Sequence, residues 1–159
     1  MQLFILDTAP RLAAVMLCDK HLRKMCLETA QILSSVLYNK NMTVPPELPK
    51  PYNPRHPVIA AVNNAWKINW VLIYNSALQR EYTYRFGKNH AYRKLVRVYM
   101  RLLYTADLNG ADWSFARAFK EFDSPGTDIV KAYREYYRRK KLIMRNMVYT
   151  KRLPPDWLI

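Results

Sequence analysis

The sequence predicts an all-α protein, a single compact helical domain of four to five helices over residues 1–159 with a proline-rich connector at 39–57. Three observations predict it. The chain has only three glycines, few for an all-β domain built on tight turns. Val15, Leu22, Thr29 and Val36 recur every seven residues, with Cys18, Met25 and Ile32 beside them, which makes a core-facing helix surface. Six of the ten prolines crowd into one stretch, at 45, 46, 49, 51, 54 and 57, where locked φ angles and missing N–H donors give an extended connector or a flap. Half the residues are apolar, so a chain of this length can bury a substantial core and is not disordered.

Each element follows from local chemistry. Leu3 to Leu6 is a short apolar run that could be extended and buried. Asp7 and Thr8 can cap a first helix that opens near Pro10, and its stripe runs to about Tyr38. Pro57 suits the first turn of a second helix, which continues to Gly87, a favourable C-terminal cap. On it Val62, Trp66, Asn69, Trp70, Ile73 and Ala77 share a side, so both tryptophans are expected in the core rather than stacked on bases. A third helix is expected over Asn89–Tyr104, a short one over Trp113–Phe122, a turn at Asp123–Gly126, and a last helix from Asp128 to about Met147. A tail ends in LPPDWLI.

The formal charge is +14, with 26 Lys and Arg against 12 Asp and Glu. Such a field attracts polyanions: DNA, RNA, a nucleotide or an anionic membrane surface. The charge is clustered. Arg85, Lys88, Arg93, Lys94, Arg97 and Arg101 follow Glu81 with no acidic residue before Asp107. Arg93, Lys94, Arg97 and Arg101 form one helix stripe. A second cluster carries Lys131, Arg134, Arg138, Arg139, Lys140, Lys141 and Arg145, followed by Lys151 and Arg152. Tyrosines interleave with both, including Tyr82, Tyr84, Tyr92, Tyr99, Tyr133, Tyr136 and Tyr137. Cations neutralise phosphates and aromatic faces stack on unpaired bases, so nucleic-acid contact is the expected use.

Cys18 and Cys26 stand eight positions apart, about 12 Å of rise on one helix and too far for a disulfide. Both are expected reduced and packed, in a cytoplasmic protein. Neither the cysteines nor the histidines have zinc-site spacing, so no metal or cofactor is expected, and no Walker or Rossmann glycine pattern occurs. The start lacks the basic region of a secretion signal, and no apolar run is long enough to span a bilayer. His56 precedes a proline and reads as a helix cap; His90 lies among basic residues, facing solvent or phosphate.

His21, Lys24, Glu28 and Gln31 advance by three, four and three, forming a polar stripe beside the apolar seam. Glu28 could serve as a general acid or base near His21; Lys24 and Glu28 could equally be an ordinary i,i+4 ion pair. The stretch DKHLRKMCLETAQIL, Asp19 to Leu33, resembles the first helix of the pyrimidine-dimer DNA glycosylase/AP lyases, whose D-x-H-L motif precedes a catalytic glutamate. Asp19, His21, Leu22 and Glu28 match it. His56-Pro57 before the second helix and the basic, tyrosine-rich YREYYRRKK resemble the family layout too. The chain is also similar to a group of small phage proteins with a DKH..KM..E.AQ helix; if it is phage-encoded, the host cytoplasm is the expected location.

The resemblance implies a chemistry. The α-amine of the first residue attacks the anomeric carbon of a damaged nucleotide, the base leaves, a Schiff base forms, and β-elimination nicks the strand. Met1 would supply the amine, since Gln2 is too large for the usual methionine removal. Glu28 would move protons, and His21 would orient groups or contact phosphate. Lys24, Arg85, Lys88, Arg93, Lys94, Arg97, Arg101, Arg134, Tyr137, Arg138, Arg139 and Lys141 would hold DNA. The family's arginines beside the glutamate are Leu27 and Gln31 here, and its early arginine is Gln2. Fold and DNA contact therefore carry over better than the lesion recognised. Two alternatives stand beside this reading: a non-catalytic nucleic-acid-binding module, and an accessory protein that binds or degrades a small nucleotide signal.

Overall fold

A computed structural model describes residues 1–105, 110–117, 119, 128–144 and 146–159. Among them the regular structure is entirely helical: α1 (Pro10–Val15), α2 (Asp19–Asn39), α3 (Pro57–Ala60), α4 (Ala65–Phe86), α5 (Val96–Leu103) and α6 (Ile129–Ile143), with 3-10 turns at Ala91–Leu95 and Asp156–Leu158. None of these helices is long and apolar enough to cross a membrane.

The seven-residue stripe is the core seam of α2. Leu22, Met25, Thr29, Ile32 and Val36 are buried and face α4, against which α2 packs. Thr29 Oγ1 donates to Asn75 Oδ1 at 3.1 Å, and Gln79 Nε2 donates to the Cys26 carbonyl at 3.2 Å, so buried polar side chains set the register of the pair. Cys18 and Cys26 are free and buried, and burial pushes the Cys26 thiol up to about 12.

The expected first helix is two. It breaks at Met16–Cys18, although the apolar periodicity runs through the break. The freed backbone groups find partners elsewhere: Arg85 donates to the Val15 and Leu17 carbonyls, at 2.8 and 2.7 Å, and the Cys18 N–H donates to the Tyr137 hydroxyl at 2.8 Å. Buried main-chain groups must be paired, and these long-range side chains make the kink affordable. Asp7 accepts from the Ala9 N–H rather than capping α1 directly. The expected second helix also divides, into α3 and α4, because Asn64 turns extended and accepts from the Lys67 N–H. Gly87 does end α4, at φ 68°, a left-handed conformation that glycine adopts without a Cβ penalty.

The expected third helix begins as the 3-10 turn at Ala91 before continuing as α5, and the last helix stops at Ile143. Residues 113–117 form no helix; the rest of the helix expected over Trp113–Phe122, apart from Phe119, lies outside the described residues, as do the turn at 123–126 and Arg145. Trp70 is buried, with its indole N–H donating to the Thr8 carbonyl at 2.9 Å, and Trp66 is half-buried with its ring edge-on to Trp113. Both serve packing.

Leu3 to Leu6 is buried and belongs to no helix or sheet, so the extended run the sequence allowed is not what forms. Two successive three-residue turns, Ile5 N–H to Leu3 O and Leu6 N–H to Phe4 O, coil it tightly. Side chains satisfy its outward carbonyls: Tyr74 Oη donates to Phe4 O, and Arg134 Nε to Leu6 O. The segment is thereby tied to α4 and α6, which fixes where the chain begins.

Candidate active site

The start of the chain lies against the polar flank of α2. The Gln2 N–H donates to Glu28 Oε2 at 3.3 Å, while Glu28 Oε1 is 3.4 Å from Lys24 Nζ. The Glu28 side chain is 12% exposed and that of Lys24 56%, so the carboxylate is sheltered while still reachable. Gln2 Nε2 donates to the Tyr136 hydroxyl at 3.1 Å, anchoring the second residue to α6. Tyr136 stacks on Phe119 with ring centroids 4.6 Å apart, and Lys140 Nζ lies over the Tyr136 ring, 5.3 Å from its centroid. The Lys24–Glu28 pair predicted from spacing is thus present, and a third partner from the chain start joins it.

His56 completes the cluster. Its Nδ1 accepts from the Val58 N–H at 3.2 Å, the capping role the sequence suggested. That bond places the proton of a neutral ring on Nε2. Burial lowers the His56 pKa, the positive chain terminus lowers it further, and Glu28 opposes both. The imidazole therefore lies within the field of both the chain terminus and Glu28. Sequence reasoning had His56 as a cap alone. The His-Pro pair was the visible signal; its closeness to residue 1 is a tertiary fact.

His21 stands apart from solvent. Its Nδ1 is 2.9 Å from the Tyr137 hydroxyl and 3.4 Å from Cys18 Sγ, and its ring packs on Phe4 with centroids 4.7 Å apart. Burial, then the charges of Lys140, Lys24 and Lys20, lowers its pKa to about 4. His21 is 7% exposed and its ring is packed among Tyr137, Cys18 and Phe4, so the fold does not present it to a phosphate; it supports Phe4, and through it the buried N-terminal segment.

Two residues expected to touch DNA are buried instead. Arg85 is fully enclosed: it pairs with Glu81 at 2.7 Å and Asp19 at 3.0 Å and donates to the Val15 and Leu17 carbonyls already described. Tyr137 is fully buried, its hydroxyl shared between the Cys18 N–H and His21, so it has no face for a base. Asp19, the first residue of the sequence motif, accepts from Arg85 and from both the N–H and hydroxyl of Thr150. Burial raises its pKa but these bonds outweigh it and hold the carboxyl below its ordinary value. The motif aspartate is structural.

On α6, Arg134 is half-buried and bonds Leu6 O and Asp7, Arg138 bonds Trp157 O and Glu135, Arg139 pairs with Glu135, and Lys141 bonds Leu158 O. These cations also bind their own chain. Lys88 is exposed just after Gly87, and Arg93, Lys94, Arg97 and Arg101 are exposed along the 3-10 turn and α5. Around the start of α2, Lys20, Arg23 and Lys24 border an open hollow of about 750 Å³ with Asn146, Val148 and Thr150. Among the described residues no three His, Cys, Asp or Glu side chains are grouped to hold a metal ion.

No curated protein and no solved structure matches the chain. A family model described as pyrimidine dimer DNA glycosylase matches residues 1–94, which include the N-terminal segment, Glu28, His56 and all of α4. The match covers more than half of the 159 residues, and the chain belongs to the pyrimidine dimer DNA glycosylase family.

Proposed function

We propose that the protein is a DNA glycosylase with AP lyase activity, in which the Met1 α-amine is the nucleophile and Glu28 the proton-transfer group. The Gln2 N–H to Glu28 bond carries this reading, because it sets the first residue beside the carboxylate. α-Amines ordinarily titrate near pH 8, so an appreciable neutral fraction exists at pH 7.

The neutral amine bonds to C1′ of the damaged nucleotide. The glycosidic bond breaks and its electron pair leaves with the base, which takes up a proton. The amine nitrogen loses its proton as the sugar ring opens to an imine. Loss of a C2′ proton then expels the 3′ phosphate, and water hydrolyses the imine from the enzyme. Glu28 takes the proton from the amine nitrogen, delivers one to the ring oxygen as the sugar opens, and removes the C2′ proton; general acid–base assistance of this kind contributes about 10²–10⁴-fold. His56 shares the field of both groups and holds the amine's surroundings polar. Lys24, Lys20 and Arg23, beside the open hollow, supply phosphate contacts.

Gln2, Leu27 and Gln31 stand where the family has the arginines that help recognise its lesion, so the proposed substrate is given as the broader class, a damaged or modified base. The experiment is strand nicking at an abasic site in duplex DNA by the wild type and by Glu28→Gln. Nicking by the wild type and a loss of two orders of magnitude or more in the variant are expected. Equal rates in the two proteins overturn the role of Glu28.

A further inference from the structure

Arg93, Lys94, Arg97 and Arg101 have no part in the arrangement around Glu28. The orientation of α5 shows why. Tyr99, on α5, donates to the Ala30 carbonyl at 2.8 Å, and its hydroxyl also meets Ser34 Oγ at 2.8 Å. At 3.6 residues per turn, Ala30 and Ser34 lie roughly 200° and 240° around α2 from Glu28. The 3-10 turn and α5 therefore pack on the side of α2 that faces away from the amine and carboxylate.

On that side two neighbouring hollows share Arg93 and Arg97. One, of about 250 Å³, lies between α4 and α5 with Ser76 and Arg80 on its wall. The other, of about 480 Å³, is bordered by Asn89, His90 and Lys94. Among the described residues no acidic side chain lines either. Ser76 and Arg80 also line a third hollow, where Arg11 continues the cationic wall. The acidic residue there, Glu81, is already held by Arg85 and Arg152. Among the described residues, Arg80, Lys94, Arg97 and Arg101 have no carboxylate partner, and Arg93 donates only to Thr83 Oγ1.

We propose that this track, Arg80–Arg93–Arg97–Arg101, is a second DNA-binding face that holds the phosphodiester backbone of another duplex segment. The shape argues for a backbone rather than a free nucleotide. The hollows are open and neighbours share walls, Arg93 and Arg97 between two of them and Ser76 and Arg80 between two, and Arg93 to Arg101 extends roughly 12 Å. Phosphates of one strand follow at about 3.4 Å along the duplex axis, so the track faces several in succession. One molecule then engages two duplex segments, one at Glu28 and one on α5. The inference rests on the chain acting on DNA, not on its catalysis.

Native mass spectrometry with a short duplex of about one helical turn tests it. Wild-type monomers are expected to carry two duplexes at saturation. The exposed triple variant Arg93→Ala/Arg97→Ala/Arg101→Ala is expected to carry one, and excess ADP is expected to leave the second duplex in place. A wild type that saturates at one duplex overturns the proposal, as does a triple variant that still carries two or carries none. Displacement of the second duplex by ADP overturns the choice of DNA backbone as ligand. Two duplexes on a protein that never nicks an abasic site would remove the catalytic reading and leave this one standing.

Discussion

The Gln2 N–H reaches Glu28 Oε2 across 3.3 Å and 26 positions of sequence. That contact ties a buried, non-helical start to a carboxylate in the middle of the second turn-bearing element, α2. It separates two roles of Glu28, acceptor and base. Glu28→Gln keeps an oxygen able to accept from Gln2, so the melting temperature is expected to stay within a few degrees of wild type. Abasic-site nicking is expected to fall by about 10²-fold or more. A parallel loss of stability and activity would make Glu28 a structural tether instead.

Arg85 shows how a residue from a basic cluster can belong to the core. Its removal leaves Asp19 and Glu81 as buried carboxylates without it, and takes the side-chain donors from the Val15 and Leu17 carbonyls. Breaking such a buried network costs about 3–5 kcal/mol. Urea unfolding of Arg85→Met is expected to show a loss of that size, while the salt dependence of DNA binding by the folded fraction stays unchanged. A change in salt slope without loss of stability would return Arg85 to the DNA face.

His21 makes stability depend on pH with a defined sign. Its folded pKa, about 4, lies below the ordinary 6.5. Between those values the unfolded chain binds a proton that the folded one refuses. Stability is therefore fully present above about pH 6.5 and declines as pH falls toward 4, by about 3 kcal/mol if this group acts alone. Denaturation of His21→Asn between pH 7 and 4 is expected to show a shallower decline than wild type. Parallel curves would mean that His21 titrates normally.

His56 combines a cap with a place in the field of the chain terminus. Replacing a capping residue with alanine costs about 0.5–2 kcal/mol. Asparagine can still accept from the Val58 N–H, so His56→Asn is expected to retain the stability that His56→Ala loses. Both are expected to shift the acid limb of the pH–rate profile for nicking. If His56→Asn leaves the profile unmoved, His56 only caps α3.

Much of this architecture was legible in the residues. The α2 seam, the proline-rich connector, Gly87 and the Lys24–Glu28 pairing follow from spacing and backbone chemistry. The breaks were not. Met16–Cys18 continues the apolar pattern, and the stop depends on Arg85 and Tyr137, which arrive from about 70 and 120 positions away. The same distance hid the fate of those two side chains: a cation or tyrosine in a basic run reads as exposed until its buried partners are known. His56 was named from its proline neighbour, yet only the folding-in of Leu3–Leu6 sets residue 1 within its field. The helix stripes gave the cations of α5 a common face, but not its direction relative to Glu28, which Tyr99 decides.

The central claim is that the chain's first nitrogen is the attacking group, and borohydride trapping on an abasic-site duplex measures it. Peptide mapping of the trapped complex is predicted to show the reduced sugar adduct on the α-nitrogen of Met1, in an intact protein whose mass includes that methionine. A trapped adduct on a lysine side chain, or no adduct from active wild-type protein, would contradict the account.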